Sequence, residues 1–215
     1  MSGRNKVTIA VHFDLICPWC FIGTRHLALA RALFAQKYPA VAVESEWHPV
    51  QLLPEAPEQG LAFAELYQTR LGSPQEVELA ARRAGLELDM TAIQRMPNTA
   101  RALDLLRRVA VLGEPALYEA LLDRLFAAYF QRGEDIGDAA TLRRLAEEVG
   151  VPSDRLADAA PDGACAAQAA PAVPGVPHFV LNGRLSLSGA HNAAILFEAM
   201  SQGVQASIAA DLACT

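Results

Sequence analysis

An apolar run, Val7-Thr8-Ile9-Ala10-Val11-His12-Phe13, leads after a three-residue turn into Cys17-Pro18-Trp19-Cys20, and a helical pattern follows from Phe21 through Phe34. Strand, turn and helix are joined with the first cysteine at the mouth of the helix. Helix N-termini carry unsatisfied N–H groups and partial positive charge, so a thiolate placed there is stabilised. A free cysteine titrates near about 8.5 and can fall to roughly 3.5–7.5 in such a site. In an intracellular chain, two cysteines in this context read as a dithiol redox centre.

The chain has 215 residues, enough for one large domain or for a domain with an inserted lobe. Hydrophobic residues make up 52% and charged residues 20%, the balance of a soluble globular protein with a substantial core. The formal net charge is −6 and no basic patch is visible, which argues against nucleic acid as a partner. Only Met1 to Lys6 precede the first strand, without a separate apolar segment and cleavage site. No window reaches the roughly 18 apolar residues of a membrane span. A cytoplasmic location without a membrane partner is therefore expected. Cys165 and Cys214 lie far apart and match no metal spacing. A structural disulfide between them is not expected in a reducing compartment. Cys165 reads as a small residue of an Ala-rich segment and Cys214 as part of a frayed tail.

Further along, residues 40–47 alternate well enough for a second strand, and Pro49, Pro54 and Pro57 mark a loop. Leu61 to about Leu71 looks helical. Ser73-Pro74-Gln75-Glu76 reads as a helix start, with Ser as N-cap, Pro at the first position and Glu completing a capping box; that helix stops at Gly85. Helical patterns follow over 98–112, ended by Gly113, over 114–130, with Leu117, Leu121, Leu122, Leu125 and Phe126 on one face, and over 138–149, stopped by Gly150. Ser153 opens another short helix. Strand character returns with His178-Phe179-Val180-Leu181, a two-residue Asn182-Gly183 hairpin and Leu185-Ser186-Leu187-Ser188, before a last helix over 192–202. The order is β-α-β, a helical block, then β-β-α. Such halves make a compact sheet with helices on both faces, interrupted by the helical block. The expected division is 5–60 with 170–215 for the sheet domain and 61–169 for the inserted helical domain.

The chain resembles the DsbA family of thioredoxin-like thiol–disulfide oxidoreductases, and within it the intracellular FrnE-like branch. The resemblance rests on Phe13-Asp14-Leu15-Ile16-Cys17-Pro18-Trp19-Cys20-Phe21-Ile22-Gly23, on Pro97-Asn98-Thr99, on Gly133-Glu134-Asp135-Ile136-Gly137-Asp138, and on Gly175-Val176-Pro177-His178-Phe179-Val180 with Ser188-Gly189-Ala190. It implies an α/β thioredoxin-like fold with a large all-helical insertion. Related 2-hydroxychromene-2-carboxylate isomerases, similar to kappa-class glutathione transferases, typically carry serine at the position of Cys17 and lack the second cysteine. The chain departs from the branch at Leu103, where a histidine is common, and at His191, where glutamine is common. Cys165 and Cys214 do not reproduce the second cysteine pair of some relatives. The resemblance further implies a cis bond before Pro177, with the Val176 backbone presented to an extended substrate, and leaves room for a homodimer.

A disulfide needs its Cα atoms about 4.4–6.8 Å apart, which a C-x-x-C at a helix start meets without strain. Cys17 is expected to be the exposed, acidic thiol that forms a mixed disulfide, and Cys20, one turn in and more buried, the one that resolves it. Pro18 suits the first helical turn. Trp19 shields the pair and can line a docking surface. Asp14 is either a proton acceptor near the thiols or, the plainer reading, a strand-end residue capping a turn. His26 reads as a surface or boundary residue, His191 as a helix start, and Trp47-His48-Pro49 as a packed loop; His178 stands close enough in sequence to Pro177 to reach the site. Three functions compete. The first is a thiol–disulfide oxidoreductase acting on protein, peptide or small-molecule disulfides, with no cofactor beyond its own disulfide and glutathione as a conceivable co-substrate. The second is a glutathione-dependent isomerase or transferase in which Cys20 is incidental. The third, a zinc module on Cys17 and Cys20, lacks a second ligand pair at suitable spacing, since zinc wants about four ligands.

Overall fold

The computed structural model describes residues 6–63, 73–153 and 173–212. In chain order its elements are β1 (Lys6–Phe13), α1 (Pro18–Lys37), β2 (Ala42–Pro49), β3 (Leu61–Ala62), α2 (Pro74–Arg83), β4 (Arg95–Met96), α3 (Ala100–Ala110), α4 (Pro115–Arg132), α5 (Ala139–Glu148), β5 (His178–Leu181), β6 (Leu185–Ser188) and α6 (Ala193–Leu212). Cys165 and Cys214, and the short helix expected from Ser153 onward, fall outside the described residues.

The main sheet has the order β2-β1-β5-β6. β1 and β2 run parallel, joined by the crossover helix α1, while β1–β5 and β5–β6 are antiparallel. The period of two along β1 decides what each face does: Val7, Ile9, Val11 and Phe13 are fully buried on one side. Against Val7, Ile9 and Val11 pack Leu27, Ala30 and Phe34 of α1 and Leu196, Ala199 and Met200 of α6. The register puts Thr8, Ala10 and His12 on the other face with Glu44, Glu46, His48, His178 and Val180. Helices on both faces were expected; among the described residues α1 and α6 both cover the apolar face.

The helical insertion between β2 and β5 builds a second core. Leu103, Leu106, Leu121, Leu125, Phe126 and Phe130 are buried there together with Phe13, Phe21 and both cysteines. The two cores meet at the N-terminal end of α1. The fold is the expected α/β thioredoxin-like one with a helical insertion, and no helix among the described residues is long and apolar enough to cross a membrane.

Local expectations differ from the structure in four places. β2 runs on through His48 and Pro49, because the ladder continues until Val50 N–H donates to the Phe13 carbonyl at 2.8 Å. Trp47-His48-Pro49 is therefore strand rather than loop. Leu61–Ala62 is a short strand paired with Arg95–Met96, not the start of a helix, and residues 64–72 lie outside the described set. Ser73 has N-cap geometry before Pro74, yet its hydroxyl meets Gln75 Oε1 at 2.6 Å instead of an N–H of the helix. The hairpin loop has three residues, Asn182 to Arg184, because Asn182 is drawn into the ladder: its N–H donates to Thr8 O at 2.8 Å and its Oδ1 accepts from Thr8 N at 2.9 Å. Other local signals hold. Asp138 caps α5 by accepting from Thr141 N at 2.8 Å, and Gly133 ends α4 in the left-handed conformation.

Candidate redox site

Cys17 is the N-cap residue of α1, with extended backbone angles, and Pro18 occupies the first helical turn. Its carbonyl accepts from Cys20 N–H at 3.0 Å, so the C-x-x-C segment closes into the first turn of the helix. No acidic side chain stands in that turn, which leaves the Cys17 sulfur next to the positive helix end without a competing carboxylate on the helix itself. The Cys17 thiol donates to the Val176 carbonyl at 3.7 Å. Val176–Pro177 is a cis peptide bond, and Gly189 N–H donates to the Pro177 carbonyl at 2.8 Å. The two chain segments farthest apart in the expected site are thus in contact through one sulfur.

Both cysteines are free thiols. Cys17 was expected to be exposed; it is only 3% exposed, and Cys20 not at all. The Val176 carbonyl stands over Cys17, and half-buried Trp19 and Val176 pack against the core that holds both sulfurs. Burial pushes the Cys20 thiol well up, and the hydrogen bond and charge of Cys17 and the charge of Asp14 push in the same direction. Burial thus favours the protonated form of the Cys20 thiol.

Asp14 is the carboxyl whose charge acts on Cys20. It is completely buried, and burial raises its carboxyl to about 6, against the opposing N–H groups of Leu52, Leu15 and Ile16 and the Thr99 hydroxyl. Its Oδ2 accepts from Leu52 N–H at 2.7 Å, while its Oδ1 has no partner. The carboxyl is held by the turn it precedes, through the N–H groups of Leu15 and Ile16, and also by the loop after β2, through Leu52 N–H. Tyr129 of α4 borders the same pocket, its phenol held well above the usual range by burial and by the charges of Asp14 and Asp135.

Several contacts that shape the site were not singled out from the sequence. Gly23 packs against the proline: a Cβ there would stand 3.1 Å from Pro177 Cγ and 3.2 Å from Phe179 Cζ. Its signal in the sequence was a glycine inside a helical pattern. Asn98 joins the loop after β2 to the insertion, accepting from Gln51 Nε2 at 2.7 Å and donating to Ala56 O at 2.5 Å. His26 holds the Ser-Gly-Ala-His turn through His191 O at 2.9 Å. His178 lies on the polar sheet face, bonded to Ser188 Oγ at 2.7 Å, with the His12 ring between it and His48. The register aims it away from the face that α1 covers. Burial, then the neighbouring His48 and His178, holds the His12 imidazole below its usual range. No group of three metal-ligating side chains fit to hold an ion occurs among the described residues.

The model of the DSBA-like thioredoxin domain matches residues 8–201. The chain belongs to this DSBA-like family. An uncharacterized protein of Bacillus subtilis, YwbO, is 29% identical over 150 residues, 67% of each chain. A probable DsbA oxidoreductase from Streptomyces coelicolor has the same fold at a TM-score of 0.75 and 24% identity, over 92% of this chain and 89% of that one. The cytosolic disulfide reductase DsbM from Pseudomonas aeruginosa shares it at a TM-score of 0.64 and 16% identity, over 97% of this chain and all of the other. These likenesses establish the fold; the chemistry of the DSBA-like site here has to come from its own residues.

Proposed function

We propose that the protein is a cytoplasmic thiol–disulfide oxidoreductase of the FrnE-like branch, with Cys17 as the attacking thiol and Cys20 as the resolving one. The observation that carries this reading is the pairing of a nearly covered cysteine at a helix N-terminus, bonded to the Val176 carbonyl, with a fully buried one on which the buried Asp14 carboxyl acts. The Cys17 thiolate attacks one sulfur of a substrate disulfide; a Cys17–substrate bond forms, and the other substrate sulfur leaves as a thiolate and takes up a proton. The Asp14 carboxylate then accepts the Cys20 proton. The Cys20 thiolate attacks Cys17 Sγ, the mixed disulfide breaks, and the second substrate thiolate departs. Two electrons have moved from the protein dithiol to the substrate, and Asp14 returns its proton to solvent or to the leaving thiolate.

Substrate approaches along the Val176–Pro177 edge, whose Val176 carbonyl meets the Cys17 thiol and whose backbone suits pairing with an extended peptide. Trp19 forms part of the same rim. Protein or peptide disulfides fit this edge. Glutathione fits as a small co-substrate, a reading supported by a structure of DsbM with GSH. The insertion, divided here as 61–169, contributes through its described residues Leu103, Leu106 and Phe126, which share a core with both thiols.

Replacing Cys20 by serine tests the assignment. Incubated with glutathione disulfide, Cys20→Ser is expected to stop as a stable adduct at Cys17, seen as one added glutathione by mass spectrometry, while Cys17→Ser takes up none. Full dithiol turnover by either variant would overturn the reading. Glutathione-dependent isomerisation retained in Cys20→Ser would favour the isomerase class instead.

A further inference from the structure

Thr99 precedes α3 at its N-cap position, where a threonine hydroxyl normally bonds an N–H of the first turn. Here it does not. Asn98 does that work, its Oδ1 accepting from Ala100 N–H at 3.0 Å. The Thr99 side chain is instead turned inward, 1% exposed, and its Oγ1 has no hydrogen-bond partner. The carboxyl it acts on is Asp14, whose Oδ1 is also buried and unpartnered, and the loop that bonds Asp14 through Leu52 N–H also bonds Asn98, the residue before Thr99. A buried hydroxyl or carboxylate oxygen without a partner is costly, so two of them in the same buried region call for an explanation. The Thr99 hydroxyl already favours the ionised carboxyl, though it closes no formed bond.

The surroundings hold Thr99 in place. Asn98 is tied to Gln51 and Ala56, so the Pro97-Asn98-Thr99 segment cannot drift from the loop that supplies Leu52 N–H. Gly137 closes from behind, where a Cβ would meet Pro97 Cβ at 3.2 Å. The other titratable groups around Asp14 are the Cys17 and Cys20 thiols of α1 and the Tyr129 phenol of α4, with Asp135 acting on Tyr129. The Tyr129 hydroxyl is already committed to Arg95 O at 3.2 Å. Thr99 is thus a donor beside the carboxyl that is both uncommitted and fixed.

We propose that Thr99 is a positioning residue of the redox site: its hydroxyl donates to Asp14 Oδ1 when that carboxyl is ionised, and so sets the pH range in which Asp14 takes the Cys20 proton. The proposal rests on the dithiol mechanism above. It makes the insertion a contributor to the chemistry, since the donor belongs to the insertion and the base to the sheet domain.

The test compares wild type, Thr99→Val and Thr99→Ser in the resolving step with glutathione disulfide, followed by acid quench and mass spectrometry between pH 5 and 9. Loss of one hydrogen bond to a charged acceptor is expected to move the pH midpoint of that step upward by about one unit, so that Thr99→Val is up to about tenfold slower near pH 6 and equal to wild type at pH 9. Thr99→Ser keeps the wild-type profile. A Thr99→Val profile that superimposes on wild type, or that falls by the same factor at every pH, overturns the proposal. Should Thr99→Val fail to fold, the Asp14 carboxyl is titrated by carbon-13 NMR in wild type and Thr99→Ala; an unmoved midpoint overturns it equally. Failure of the dithiol mechanism itself is separate, since it appears as adduct formation without Cys17 in the preceding experiment.

Discussion

Asp14 shows how much one buried carboxyl can decide. Its carboxyl titrates near 6 in the folded chain because burial penalises the charge, whereas an unfolded aspartate titrates near about 3.9. A raised carboxyl means that the folded state holds the proton more tightly. The associated stability is complete below the unfolded value and is lost as pH rises through the folded one. At about 1.4 kcal/mol per unit, roughly 3 kcal/mol is forfeited between about pH 4 and pH 6. Asp14→Asn is therefore expected to raise stability at pH 7.5 by up to about 3 kcal/mol and to flatten that pH dependence, measured by urea unfolding at several pH values. The same variant should resolve mixed disulfides at least about tenfold more slowly near pH 7, since general-base assistance is worth about 10²–10⁴-fold. A stable variant with undiminished turnover would remove Asp14 from the mechanism. The sequence showed the aspartate three residues before Cys17 and pointed toward turn capping. Leu52 and Thr99 reach Asp14 from distant segments, and neither leaves a local signature in the pattern around it.

At the scale of elements, the decisive contact is between α1 and the loop entering β5. Pro177 and Phe179 lie against Gly23, one turn past the cysteines, and the space there is filled without a side chain. Gly23→Val is expected to cost about 2–3 kcal/mol by overpacking and to slow exchange by displacing Pro177 from the thiols. Unchanged stability in urea unfolding would show that α1 has room to retreat. The strand–turn–helix at the front and the β5–β6 hairpin were legible because alternation, helical period and an Asn-Gly turn are local signals. β2 extends farther than its own alternation suggested, since its ladder with β1 determines where it ends. The short β3–β4 pair escaped notice, because two-residue strands have no period to read.

For the whole molecule, the insertion and the sheet domain share the aromatic stack that underlies the thiols. Phe126 of α4 lies 5.1 Å from Phe21, nearly parallel, and 6.3 Å from Phe13. A core that spans both parts should unfold as one. Phe126→Ala is expected to destabilise by about 3–5 kcal/mol, with coincident transitions by far-UV circular dichroism and tryptophan fluorescence. Two separated transitions would show that the insertion has an independent core. In the Arg124, Arg132, Arg144, Glu134 and Glu148 cluster, the pairs of Arg132, Arg144 and Glu148 are half exposed and contribute little, whereas Arg124 and Glu134 are mostly covered.

Local chemistry written along the chain settled the order of the main-sheet strands, the cysteine pair at a helix mouth, and Gly85, Gly113, Gly133 and Gly150, which follow α2, α3, α4 and α5. Those features depend on neighbours a few residues apart, so period and composition suffice to read them. Packing alone decided that Cys17 lies almost covered, that Asp14 loses its contact with water, and that a threonine from the insertion comes to stand beside it. Burial is a property of surfaces brought together from distant segments, and no short window of residues contains both surfaces.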